Sequence, residues 1–169
     1  MKHKEIIFLD TEFSSLNPHK GEILSIGLVR GDGEELYLEL EYEGEVDEWT
    51  QRNIIPSLKN RKVSREEARR RIRDFVGKGE PIAMAYVNQF DILYLYKLFT
   101  VDDCPFFWLP LDFASILYSL GYDPVEYYEK QAQFVRQFGI DAEKYQKHHA
   151  LDDARLLRET YLKLRGRLT

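Results

Sequence analysis

The first quarter of the chain carries the hydrophobic patterning of strands. Residues 4–10 form a nearly continuous apolar run, which predicts a central strand buried on both faces. Residues 22–30 and 35–41 predict two further strands, and in the second of these leucine alternates with other residues. The turn at 31–33, Gly-Asp-Gly, favours a hairpin between them. This part of the chain therefore predicts three strands with hairpin-like spacing.

Helical and strand patterns alternate in the remainder of the chain. Ser64 and Glu67 form a capping box, which marks the beginning of a helix that ends near Gly77. The other predicted elements are a short helix over 47–55, a strand over 81–87, a helix over 89–99, a strand over 106–109, and helices over 112–120, 124–138 and 151–164. This order predicts an α/β fold, with a mixed sheet of five or six strands flanked by helices in a single domain over 1–169.

Composition and charge narrow the classes of function. The chain has 169 residues, 44% of them hydrophobic and 31% charged, which is typical of a soluble globular domain. Cys104 is the single cysteine, which excludes an internal disulfide and a cysteine-based zinc site. A net charge of −5 argues against a broad grip on duplex nucleic acid, but not against a short single strand held through metal ions. Without a signal peptide or a membrane-length apolar run, we expect a cytoplasmic protein with no membrane partner.

Two acids follow the first apolar run. Asp10 and Glu12 are two residues apart, so in a strand they face the same side while Thr11 faces the other. The carboxyl end of a central strand is where open α/β sheets bind ligands. The pair alone is a weak signal, because acids at strand ends are often turn or cap residues.

Two further segments add acids and histidines. Asp91 lies in the first turn of a predicted helix, where the helix dipole favours an acid whether or not it has a function. His148 and Asp153 are five apart, about 140° on an ideal helix, so we expect His148 on a loop and Asp153 in the first helical turn. His149 is the alternative to His148, and the neighbouring Asp152 is interpreted as a solvated N-terminal acid.

Acids that each adjoin an apolar run are expected to meet in space. Several carboxylates close together repel one another unless divalent cations neutralise them. Hard oxygen ligands favour Mg²⁺, with Mn²⁺ as a substitute. The sequence therefore predicts a metal site.

The three segments together resemble a known family. Asp10-x-Glu12, Phe90-Asp91 and His148-x-Ala150-x-x-Asp153 are similar to the three motifs of the DEDDh-type 3′→5′ exonucleases, among them oligoribonuclease, RNase T and polymerase proofreading subunits. The segments Asp10-Thr11-Glu12-Phe13 and His148-His149-Ala150-Leu151 look closest to the small bacterial exoribonucleases within that family. The resemblance implies a ribonuclease H-like fold and extends from residue 8 to about 160.

The resemblance also implies a mechanism with two metal ions. In it, Asp10, Glu12, Asp91 and Asp153 hold the ions, and His148 is the general base that activates water. The substrate implied is a single strand, RNA rather than DNA, cleaved from its 3′ end to nucleoside 5′-monophosphates. Single-stranded DNA as substrate, a non-catalytic binding module on the same fold, and an RNase H-type endonuclease with the same sheet and acids are the alternatives. Relatives are often homodimers, so the resemblance admits a homodimer here.

Substrate contacts are less specified by the sequence. Glu12 and His148 would adjoin the terminal nucleotide, and Phe13 and Leu16 are candidates to contact its ribose and stack on its base, or else belong to the core. The basic residues considered as phosphate neighbours are Arg69, Arg70, Arg71 and Arg73 on the first long helix, and Arg136, Lys144 and Lys147 nearer to His148. The chain departs from the family at Val87, where relatives often carry asparagine four residues before the second-motif aspartate.

Overall fold

A mixed sheet forms the centre of the protein in the computed structural model, which describes residues 4–167. The strands are β1 (Ile6–Phe13), β2 (Ile23–Arg30), β3 (Glu35–Leu40), β4 (Lys62–Val63), β5 (Ile82–Ala85) and β6 (Leu111–Asp112). Within the described residues these six strands form one sheet in the order β4-β3-β2-β1-β5-β6. β1 pairs antiparallel with β2 and parallel with β5, so it lies inside the sheet.

Helices cover both faces of this sheet. They are α1 (Glu48–Asn53), α2 (Arg65–Val76), α3 (Gln89–Leu98), α4 (Phe113–Ser119), α5 (Pro124–Glu129), α6 (Gln131–Arg136) and α7 (Ala150–Arg165), with short 3₁₀ turns at Ile55–Ser57, Gly77–Gly79, Val101–Asp103 and Ala142–Lys144. α2 and α3 pack with Ile7 and Leu9 on one face. α4 to α7 pack with Phe8 and Met84 on the other. Alternate residues of β1 therefore enter opposite cores, as its continuous apolar run requires.

The predicted α/β architecture, a mixed sheet flanked by helices, is confirmed. The capping box is also present, because the Ser64 side chain accepts a hydrogen bond from the Glu67 N–H at 3.2 Å. Among residues 4–167, no helix has both the length and the apolar character needed to cross a membrane.

Two predicted elements differ from the structure, and one element was not predicted. The strand over 106–109 is wrong: this segment is irregular, and the edge strand β6 forms at 111–112 instead. Prolines at 105 and 110 bracket the segment and remove two backbone donors. The single helix over 124–138 is two helices, α5 and α6, because the backbone of Lys130 leaves the helical region at φ −119° and ψ 37°. The sequence also missed β4, which has only 2 residues.

Candidate active site

The structure brings together the four acids that the sequence selects. We call Asp10, Glu12, Asp91 and Asp153 the acid cluster; they come from β1, α3 and α7. Asp10, Glu12 and Asp153 line one cavity of about 130 Å³ together with His148. One ligating atom from each of Glu12, His148 and Asp153 lies within 4.8 Å of the other two. Asp91 borders the adjoining cleft, which it shares with Asp10.

β1 positions Asp91 as well as its own two acids. Asp10 and Glu12 alternate along the strand and both line the cavity, as their spacing predicts. Thr11 donates two hydrogen bonds to Asp91 Oδ1, one from its backbone N–H and one from its hydroxyl, each at 2.8 Å. The sequence assigned no role to Thr11, because this contact joins residues that are 80 positions apart.

A glycine allows α7 to bring Asp153 to the strand. Gly27 on β2 is paired with Asp10 on β1, and α7 begins directly above it. A Cβ atom at Gly27 would lie 2.4 Å from the backbone of Ala150 and Leu151. Only glycine permits this approach, so Gly27 fixes the distance between the first turn of α7, which carries Asp153, and the strand that carries Asp10.

The structure separates the two neighbouring histidines. His148 lies on the loop before α7 with φ 60°, and its N–H donates to Asp153 Oδ2 at 2.8 Å. Its ring meets Trp49 edge to face, with centroids 5.0 Å apart, and lines the cavity. His149 instead stacks on Tyr37 with centroids 4.5 Å apart. The geometry therefore favours His148 as the histidine of the site.

Asp152 was interpreted as a solvated acid, and the structure corrects this interpretation. Its Oδ2 accepts from the N–H of Gln146 at 3.1 Å, and its Oδ1 accepts from Arg155 at 2.7 Å. Arg155 also pairs with Glu35 on β3. Asp152 therefore connects the loop that precedes α7 to the helix through hydrogen bonds, and so helps to position His148.

Burial and mutual repulsion make the acid cluster electrostatically unfavourable by itself. Burial first, then the charges of Asp153, Asp91 and Glu12, raise the pKa of Asp10 well above its ordinary value. Burial also raises the pKa of Glu12 to about 8, and those of Asp91 and Asp153 to about 7. A divalent cation would remove this penalty by stabilising the charged forms. The all-oxygen donor set fits Mg²⁺ or Mn²⁺.

The pKa of His148 shifts in the opposite direction. Burial, and then the charge of Lys147, lower the pKa of His148 below its ordinary value. The shift favours the neutral ring, which is the form able to accept a proton.

The two predicted substrate residues border apolar clefts beside the acid cluster. Phe13 and Leu16 line both the cleft on the Trp49 side and the cleft on the Asp91 side. Leu16 is 63% exposed on the loop between β1 and β2, whereas the Phe13 ring stacks on buried Tyr94 with centroids 4.6 Å apart. Leu16 is therefore free to contact a ligand, and Phe13 belongs partly to the core.

Sequence reasoning missed two aromatic residues of the site. Trp49 on α1 is 52% exposed and forms a wall of the cleft next to His148. Tyr128 on α5 is 51% exposed and lines the cavity and both clefts. Trp49 could have been noticed as a large aromatic residue in a polar segment. Tyr128 had no comparable signal, because the break after α5 hides the helical face to which it belongs.

The predicted basic residues are not equivalent in the structure. The arginines of α2 lie away from the cavity, and several pair with acids: Arg70 with Asp74, and Arg73 with Asp103. Arg136 and Lys144 are exposed and do not line the cavity. Lys147 does line it.

The departure at Val87 has a structural consequence. Val87 connects β5 to α3 with φ 53°, in the left-handed region that β-branched residues rarely adopt. Asparagine tolerates this conformation far better. The residue that relatives often carry here would therefore relieve backbone strain two residues before α3 begins.

Several solved structures share the fold of this protein. No protein-family model and no curated protein matches the sequence. A structure of exonuclease I, solved in a study of its processivity, has a TM-score of 0.72 at 12% identity and covers 97% of this chain and 41% of its own. Exonuclease I from Methylocaldum szegediense has a TM-score of 0.68 at 18% identity, with coverages of 97% and 41%.

A third match carries an oligonucleotide. E. coli exonuclease I in complex with a 5cy-dT13 oligonucleotide has a TM-score of 0.65 at 12% identity, and covers 98% of this chain and 41% of its own. The fold is ribonuclease H-like. The implied fold is thereby confirmed. The chain spans about two fifths of the length of these exonuclease I structures.

Proposed function

We propose that this protein is a metal-dependent 3′→5′ exonuclease that releases nucleoside 5′-monophosphates from single-stranded nucleic acid. The observation that carries the proposal is the meeting of three acids and His148 around one cavity on a ribonuclease H-like sheet, with the fourth acid, Asp91, in the adjoining cleft. The likeness to exonuclease I supports the DEDDh-type assignment, which the three sequence segments suggest independently.

The acid cluster would hold two divalent ions. Asp10, Glu12 and Asp153 converge on the cavity, and Asp91, fixed by Thr11, completes the set from the neighbouring cleft. When bound, the ions supply positive charge that stabilises the attacking and the leaving oxygens of an in-line displacement. Mg²⁺ is the proposed ion and Mn²⁺ its substitute, because all four protein ligands are carboxylates.

His148 would act as the general base. Its backbone N–H is bonded to Asp153, and its ring rests against the edge of Trp49, so both ends of the residue are held. The lowered pKa keeps the ring neutral and ready to take the proton of the attacking water. Water then attacks the phosphorus of the last linkage, and the bond to the leaving 3′ oxygen breaks.

The clefts beside the cavity suit a strand end. The cleft bounded by Trp49, Leu16 and His148 is mainly apolar and has a volume of about 390 Å³, which suits a base stacked on an aromatic wall. Leu16 also lines the second apolar cleft, on the Asp91 side. Two neighbouring bases could therefore occupy the two clefts, with the linkage between them at the acid cluster.

Single-stranded DNA is the proposed substrate. The resemblance in the sequence implies RNA, but the three solved structures described above are exonuclease I, one of them in complex with a dT13 oligonucleotide. These neighbours favour DNA, the alternative considered from the sequence. Assignment to the small exoribonuclease group remains a prediction, and so does a homodimer.

A time course on labelled strands tests the proposal. Single-stranded DNA and RNA of matched sequence, labelled at the 5′ end, are incubated with Mg²⁺, Mn²⁺ or EDTA. We expect a ladder that shortens from the 3′ end with metal, does not shorten with EDTA, and proceeds faster on DNA. Asp10→Asn should abolish the ladder, whereas Asp102→Asn, an exposed acid away from the site, should not.

Three outcomes would contradict parts of the proposal. Internal cleavage products would indicate an endonuclease on the same sheet. Faster degradation of RNA would restore the exoribonuclease assignment. Binding of either strand without hydrolysis under any metal would indicate a non-catalytic binding module.

A further inference from the structure

A single basic side chain stands on the wall of the acidic cavity. Within the described part of the chain, Lys147 is the only lysine or arginine that lines this cavity. Its Nζ atom lies over the ring of Tyr128, 4.8 Å from the centroid. Tyr128 itself lines the cavity and both apolar clefts. The cation is thus placed where the cavity and the clefts meet.

The charge of Lys147 is not neutralised by a protein carboxylate. Among the ion pairs formed by residues 4–167, none includes Lys147, although most of these pairs fasten other basic residues to exposed acids. Lys147 nevertheless lines the same cavity as His148 and Asp153. It therefore lies beside the acid cluster without being tied to a member of it.

A bound strand would bring additional negative charge to this position. Two divalent ions balance the four carboxylates, so they leave the phosphates of the strand uncompensated. A lysine provides a compact, mobile positive charge with three donors, which suits contact with a phosphate. The net charge of −5 makes an unpaired cation at the entry of the site more consequential for attracting a strand.

We propose that Lys147 binds a backbone phosphate of the strand whose 3′ end enters the acid cluster. The proposal rests on the proposed function and extends it, because it assigns a substrate contact outside the metal ligands and the base. The ring of Tyr128, which also lines the cavity, lies beneath the Lys147 ammonium.

The test combines charge removal on the protein with charge removal on the strand. Lys147→Ala and Lys147→Arg are compared with Lys144→Ala, a matched change at an exposed lysine three positions earlier that does not line the cavity. Four DNA oligonucleotides are used: one unmodified, and three with a neutral methylphosphonate at the first, second or third linkage from the 3′ end. Dissociation constants are measured by fluorescence anisotropy in Ca²⁺, and first-nucleotide release is measured in Mg²⁺.

We expect Lys147→Ala to weaken binding of the unmodified strand about tenfold at low salt, and to reduce the slope of log K against log salt by about 0.7. On one of the three methylphosphonate strands this loss should disappear, because the phosphate charge that Lys147 contacts is already absent. Lys147→Arg should retain most of the affinity. Lys144→Ala should change none of these quantities.

Equal losses on all four strands, or a loss no greater than that of Lys144→Ala, would overturn the assignment of Lys147. The same experiment tests the proposed function through a separate outcome. If the unaltered protein binds with the expected pattern but releases no nucleotide in Mg²⁺, the phosphate contact stands and the exonuclease does not. If it releases nucleotides but substitution of Lys147 has no linkage-specific effect, the exonuclease function stands and the phosphate contact does not.

Discussion

Replacing Gly27 by alanine should displace one part of the site relative to another without changing any of its functional side chains. The added Cβ would lie 2.4 Å from the backbone of Ala150 and Leu151, whereas ordinary van der Waals contact begins at 3.4 Å. The N-terminal turn of α7 must therefore move away from β2 by about 1 Å. Asp153 moves with that turn, while Asp10 stays on β1.

The size of the effect follows from that displacement. Overpacking of this kind costs about 1–3 kcal/mol in the free energy of unfolding. A misplacement of about 1 Å at a reacting centre lowers turnover by about 100-fold. We therefore expect Gly27→Ala to remain folded at low temperature, to lose most of its exonuclease activity, and to bind Mn²⁺ more weakly.

The assay measures three quantities on the same preparations: unfolding in urea, Mn²⁺ binding by calorimetry, and release of the 3′-terminal nucleotide. Gly79→Ala is the matched control, because a Cβ at Gly79 meets nothing within 4 Å. Unchanged turnover and Mn²⁺ affinity in folded Gly27→Ala would refute the argument that this contact sets the spacing of the site.

Three further predictions follow from the structure. Without metal, the acid cluster takes up protons on folding, since burial raises the pKa of Glu12 from 4.5 to about 8 and that of Asp153 from 3.8 to about 7. Its contribution to the free energy of unfolding is therefore greatest below about pH 4 and is lost as the pH rises to about 8. In EDTA, the melting temperature of Asp153→Asn should fall less with rising pH than that of the unaltered protein, and Mg²⁺ should remove this difference. Identical pH trends of the two proteins would contradict the prediction. His148→Ala should lower kcat by about 10²–10⁴-fold in the nucleotide-release assay while Mn²⁺ binding persists, whereas His149→Ala should mainly lower the melting temperature; the opposite pattern would identify His149 as the base. Val87→Asn should raise the free energy of unfolding in urea by about 1 kcal/mol by relieving the left-handed strain, and a loss of stability would show that the valine side chain matters more.

Local patterns predicted much of this protein because their causes are local. Alternation along β1 places Asp10 and Glu12 on one side, since successive residues of a strand face opposite ways. The capping box sets the start of α2 through contacts within one turn. The five-residue spacing of His148 and Asp153 is too far round a helix for both to face one point, which predicted the loop that the structure contains.

The shortest strands could not be predicted from local sequence patterns. β4 and β6 have two residues each, too few to show a period, and they exist because β3 and β5 offer unpaired edges. The apolar run over 106–109 forms no strand, although the Phe107 N–H donates a hydrogen bond to the carbonyl of Pro81 beside the same edge of β5. Strand pairing at the ends of the sheet is thus a property of the assembled sheet.

Sequence patterns predicted which acids and which histidine loop form the candidate site, because each follows a recognisable strand or helix boundary. Tertiary packing sets how they are held. Thr11 bonds to Asp91 across 80 positions, and Gly27 admits α7 to the sheet. It also decided that Trp49 and Tyr128 border the site, and that Lys147 lines it while Lys144 does not. The physical reason is that these contacts depend on the distance between packed elements, and no period along the chain encodes that distance.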